Sequence, residues 1–116
     1  VRMSGSAGAS LRAPLRALCE GGVAGGLGDG ALLDRFVANH GDVAEAAFGA
    51  LVGRHGPMVL HVCRTILHNS HDAEDASQAV FLVLAQRARA IRNRDSVASW
   101  LFGVACRVSA RVKRDA

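Results

Sequence analysis

Residues 71–90 read HDAEDASQAVFLVLAQRARA, and the fold class turns on how that string is wound. At 100° per residue, Ala73, Ala76, Ser77, Val80, Phe81, Leu84 and Ala88 gather on one side, with Asp75, Gln78, Ala79, Leu82 and Gln86 opposite. No alternation of period two competes with that pattern. The spacing predicts a helix from about Asp72 to Ala90, preceded by a loop at Asn69-Ser70-His71. Asp72, Glu74 and Asp75 suit the positive end of the helix macrodipole, and Asp72 is a candidate cap for the exposed amides. Leu82 interrupts the polar side. Apolar residues on both sides mean a helix buried all round or a core helix whose outer side meets a partner.

Upstream, Phe48, Leu51, Val52, His55, Val59, Val62, Cys63 and Ile66 recur at helical spacing. Gly56-Pro57 falls inside this run, and a proline withholds one backbone donor and crowds the preceding turn. A kink near Gly53 or two abutting helices is therefore expected. Before it, Ala31, Leu32, Leu33, Phe36 and Val37 fit a short helix ending near Gly41, with Asp29 as its candidate N-cap. Downstream, a last helix begins near Asp95 or Ser96. Val97, Leu101, Val104, Ala105, Val108 and Val112 form its core side, with Trp100, Gly103, Arg107, Arg111 and Arg114 running beside it. The expected fold is all-α, a compact three- to four-helix bundle over residues 29–116. Residues 1–28 are rich in glycine and alanine and read as a flexible leader, because glycine loses the most backbone entropy on ordering.

With 116 residues, half of them hydrophobic and 21% charged, the chain is one domain at most and is no disordered tail. No apolar run approaches the roughly 20 residues needed to span a bilayer, and no signal-peptide core is present. A cytoplasmic location is expected. Cys19, Cys63 and Cys106 are odd in number and scattered, which fits a reducing compartment better than a disulfide framework. The formal net charge of +4 conceals a polarised distribution. From Asp29 to Asp75, seven acids face three arginines, a balance of −4; from Arg87 to Ala116, eight bases face two acids, a balance of +6. The C-terminal quarter is thus either a solvated basic helix face or a polyanion surface, and arginine's planar fork suits phosphate and base edges.

Catalytic and metal patterns are not completed. His68 and His71 have ligand-like spacing, but no CxxC, HExxH or carboxylate partner joins them. The acids at Asp72, Glu74 and Asp75 are explained by the start of a helix without a magnesium ion. Cys63 and Cys106 sit on or beside apolar faces and read as small core residues. The expectation is a non-enzyme with no cofactor and no metal.

The string HDAEDASQAVFLVLA at 71–85, followed by SWLFGVACRV at 99–108, closely resembles region 2 of extracytoplasmic-function sigma factors of bacterial RNA polymerase. The likeness extends upstream through DRFV at 34–37, EAAF at 45–48 and RHGPMVL at 54–60. The strings LRAL at 15–18 and VAGGL at 23–27 also resemble leader segments of a planctomycete-like subgroup. The resemblance implies that the Asp-x-x-Gln-x-x-Phe helix, here Asp75, Gln78 and Phe81, docks on the clamp helices of the polymerase β′ subunit. Asp75 and Gln78 would hydrogen-bond the clamp, Leu82 would pack on it, and Phe81 would serve mainly the domain core. It also implies that the segment from Ile91 to Ser96 captures a flipped base of the minus-ten promoter element, with Asn93, Arg94 and Ser96 as contacts. Arg107 and Arg111 would meet phosphates. Trp100 has two readings, a core tryptophan and a base-stacking one. An anti-sigma factor is a further partner the resemblance brings with it.

Several positions depart from the family pattern. Ala79 replaces a common acidic residue, Ser77 a larger apolar one, and Cys106 a frequent aromatic, all of which would weaken core binding. Family members continue into region 4, a helix-turn-helix domain, and none lies within these 116 residues, so a region 2 unit alone is expected. Against a promoter-recognition subunit stands a degenerate sigma-like interaction module that binds polymerase or an anti-sigma factor without directing initiation. A generic basic DNA-binding domain would leave the side bearing Asp75, Gln78 and Leu82 without a role.

Overall fold

A computed structural model describes residues 26–92 and 96–115. In chain order the described elements are α1 (Asp29–Ala38), α2 (Gly41–Leu67), α3 (Ser70–Arg87), a 3₁₀ turn (Ala88–Ala90) and α4 (Val97–Asp115). Among the described residues there is no strand, and the all-α expectation holds. Residues 1–25, which make up nearly all of the expected leader, lie outside the described residues. The chain divides after Gly53 into two compact units.

In the first unit, Leu32 and Leu33 of α1 are fully buried, as are Ala47 and Leu51 of α2. The rings of Phe36 and Phe48 pack 5.1 Å apart, tilted by 37°, and tie the two helices together. Gly28, not Asp29, is the N-cap of α1; its carbonyl accepts the Leu32 amide at 3.0 Å. Asp29 instead lies inside the first turn, where its charge still complements the macrodipole. At the other end, Asn39 Nδ2 donates to the Arg35 carbonyl at 2.8 Å. Gly41 then takes φ +63°, a left-handed conformation that costs a glycine little, and the chain enters α2.

The second unit contains the rest of α2 together with α3, the 3₁₀ turn and α4. Pro57 lies inside α2, which is one helix and not two abutting ones. An internal proline costs a helix about 3 kcal/mol, and here the buried side formed by His55, Val59, Val62 and Cys63 supplies a packed face to set against that cost.

The connection from α2 to α3 is only His68 and Asn69. His68 adopts φ +59° and donates its amide to the Arg64 carbonyl at 3.1 Å, ending α2 as glycine commonly does. Asn69 is the N-cap of α3: its side chain accepts the Asp72 amide at 3.0 Å, and its carbonyl accepts the Ala73 amide at 2.9 Å. The expected cap at Asp72 and loop through His71 are thereby corrected. Asn69 caps the helix three residues earlier by accepting the amide of Asp72 itself, and Ser70 and His71 thereby fall in the first helical turn.

α3 packs against α4. Ala73, Ala76, Val80, Phe81 and Leu84 supply the buried side of one; Val97, Leu101, Val104 and Ala105 that of the other. Each large apolar side chain buried in this way contributes roughly 1.5 to 3 kcal/mol. Ser109 is also completely buried on α4, and its hydroxyl has no hydrogen-bond partner. Among the described residues, no helix is long and apolar enough to cross a membrane.

Candidate protein and nucleic-acid interfaces

The outer side of α3 is built by the same periodicity that builds its core side. Asp75, Gln78, Leu82 and Gln86 are exposed, and Ala79 is half-buried. Leu82 retains 41% of its surface, whereas Phe81, its neighbour in sequence, retains 4%. The four residues expected to meet a protein therefore separate: Asp75, Gln78 and Leu82 share the open side, and Phe81 belongs to the core. Two amide or carboxylate groups flanking an exposed leucine form a surface that can hydrogen-bond at its edges and bury apolar area at its centre.

A second feature lies at the other end of α3. An open groove of about 600 Å³ is lined by Val83 and Arg87 of α3, Ile91 after the 3₁₀ turn, and Trp100, Arg107 and Arg111 of α4. Trp100, Arg107 and Arg111 follow one another at spacings of seven and four residues, two turns and one, so the helix itself brings them to one flank. Trp100 is half-buried, between the two readings its sequence left open, while Arg107 and Arg111 are exposed. The combination can stack a planar base and neutralise phosphate oxygens. Ser96 is half-buried immediately before α4. Asn93 and Arg94 lie outside the described residues.

Arg107, which lines the groove, folds back along its own helix. A Cβ built on Gly103 would stand 3.3 Å from Arg107 Nη1, so the guanidinium lies over the bare glycine. This direction is the usual one for long helical side chains, which lean toward the preceding turn.

Sequence reading missed three features. Arg87 is one of the C-terminal bases, and only tertiary packing places it beside residues 13 to 24 positions later. Phe102 keeps 52% of its surface and Val43 46%. Phe102 was detectable on the helical wheel, where it falls about 200° from Trp100 and outside the centre of the core side. Among the described residues, no group of three or more His, Cys, Asp or Glu could hold a metal ion. Cys63 is buried, Cys106 half-buried, and both are free thiols.

A family model described as Sigma-70 region 2 matches residues 51–116. That span includes α3, the groove and all of α4. No curated protein and no solved structure matches the chain.

Proposed function

The chain belongs to the sigma-70 region 2 family, and on that footing we propose that it is a promoter-recognition unit that binds RNA polymerase core and helps open minus-ten DNA in transcription initiation. Asp75, Gln78 and Leu82 dock on the β′ clamp helices, and Phe81 holds the docking helix to its own core. Trp100, Arg107 and Arg111 receive the DNA, with Asn93, Arg94 and Ser96 contributing contacts to a flipped base and its phosphates. The unit works by binding and has no reaction of its own. Its working place is the cytoplasm, where its partner is. The extracytoplasmic-function branch is the one its strings from residue 34 onward resemble.

The observation that carries this reading is the division of labour along α3: an exposed leucine between polar groups on the outer side, and a guanidinium groove beginning at its last turn. A generic basic DNA-binding domain gives the first of these no purpose. The test measures the affinity of the 116-residue chain for the β′ clamp region and for single-stranded minus-ten oligonucleotides. Clamp binding lost on Gln78→Ala and Leu82→Ala, with oligonucleotide preference lost on Asn93→Ala or Arg94→Ala, supports the proposal. Clamp binding with sequence-indifferent DNA binding favours the degenerate interaction module instead, a reading to which Ala79, in place of the family's acid, lends support. Absence of clamp binding overturns both.

A further inference from the structure

The groove between α3 and α4 has two walls, and the proposed function uses only one. Trp100, Arg107 and Arg111 all come from α4; Arg87 comes from α3 and enters the same groove from the facing side. Val83 and Ile91 give that groove apolar lining between the charged groups. A nucleic-acid strand presents a charge of constant spacing on its backbone and a flat apolar face on each base, and guanidiniums around an apolar floor match both. We infer that Arg87 is a further phosphate contact, and that Gly103 is a positioning residue whose missing side chain leaves room for the Arg107 guanidinium. The inference rests on the DNA-binding part of the proposed function and extends it to residues on the second wall.

A bland role exists for each residue. Arg87 sits in the last turn of α3, where a cation complements the helix macrodipole. Gly103 could be a mere tolerated glycine in a helix. Two measurements move only under the proposed roles. The first is the salt dependence of binding. Each phosphate neutralised on a single strand contributes about 0.7 to the slope of log K against log salt, whereas a helix-end charge changes stability and not that slope. The second is epistasis, since a residue that acts by placing Arg107 has nothing left to place once Arg107 is gone.

The experiment titrates the 116-residue chain into short, randomised single-stranded DNA between about 50 and 200 mM salt. The wild type, Arg87→Gln, Arg107→Ala, Gly103→Leu and the Gly103→Leu/Arg107→Ala pair are compared. Arg87→Gln is expected to lower the slope by about 0.7. Gly103→Leu, which fills the place of the guanidinium, is expected to weaken binding as much as Arg107→Ala, with no further loss in the double variant. Gly103→Ala, which adds only one carbon, provides the same comparison on a smaller scale if the leucine variant fails to fold. An unchanged slope in Arg87→Gln, or additive losses at Gly103 and Arg107, overturns the inference while leaving the proposed function intact. Binding that follows these expectations but is no tighter on a minus-ten oligonucleotide than on the randomised strands sustains the inference and counts against promoter recognition. A wild-type chain that does not bind single strands overturns both.

Discussion

Leu82 and Leu84 stand two positions apart on α3 and point to opposite sides of it, Leu82 with 41% of its surface exposed and Leu84 with none. The same side chain is therefore asked to do two different jobs. Leu84→Ala opens a cavity in a packed core and is expected to cost about 2 to 5 kcal/mol of stability. Leu82→Ala removes a half-open side chain and is expected to cost less than about 1 kcal/mol. Denaturant titration of the two variants checks this, and a pull-down with polymerase core completes it: Leu82→Ala keeps its fold and loses partner binding.

Ser109 offers a stabilising change. Its hydroxyl is fully buried without a partner, a state that costs about 1 to 3 kcal/mol, and serine is also a poorer helix former than alanine. Ser109→Ala is expected to raise the unfolding free energy by about 1 to 2 kcal/mol. A variant no more stable than the wild type would show that the hydroxyl is satisfied in solution.

The two-residue joint between α2 and α3 makes opposite demands on its members. Asn69→Ala removes the oxygen that accepts the Asp72 amide and is expected to cost about 1 kcal/mol. His68→Gly relieves a non-glycine residue at φ +59° and is expected to gain a few tenths to about 1 kcal/mol. Thermal unfolding of both variants tests the pair by the sign of each shift.

Gly103→Ala sets stability against binding. Alanine is favoured over glycine in a helix by about 1 kcal/mol, and the displaced atom is the free end of a flexible arginine. The variant is expected to melt at a higher temperature while binding single-stranded DNA more weakly, an opposition read by running thermal unfolding and DNA titration on one preparation.

The faces of the helices were legible from sequence because periodicity is a local property. Val80, Phe81 and Leu84 were separated from Gln78 and Leu82 by angle alone, and burial follows that division. Helix starts were less legible. Asp29 and Asp72 are both good caps by residue type, yet Gly28 and Asn69 hold those positions, and both acids lie inside the first turn. Pro57 leaves open a kink or two abutting helices, and a single helix, Gly41–Leu67, runs through it. The groove was the least legible feature. Trp100, Arg107 and Arg111 fall together on one wheel, but Arg87 joins them only when α3 packs on α4, a relation no local pattern encodes.

The span of α3 from Gln78 to Arg87 has a metrical consequence. Nine positions of continuous helix at 1.5 Å per residue hold Gln78, on the proposed docking side, and Arg87, in the groove, about 14 Å apart along a rigid rod. The proposed protein and its proposed DNA are thus registered to each other by a ruler whose graduations are single residues. Deleting one residue between Leu82 and Arg87 would shorten the rod by only about 1.5 Å, but it would turn its far end by about 100° and send Arg87 away from the groove.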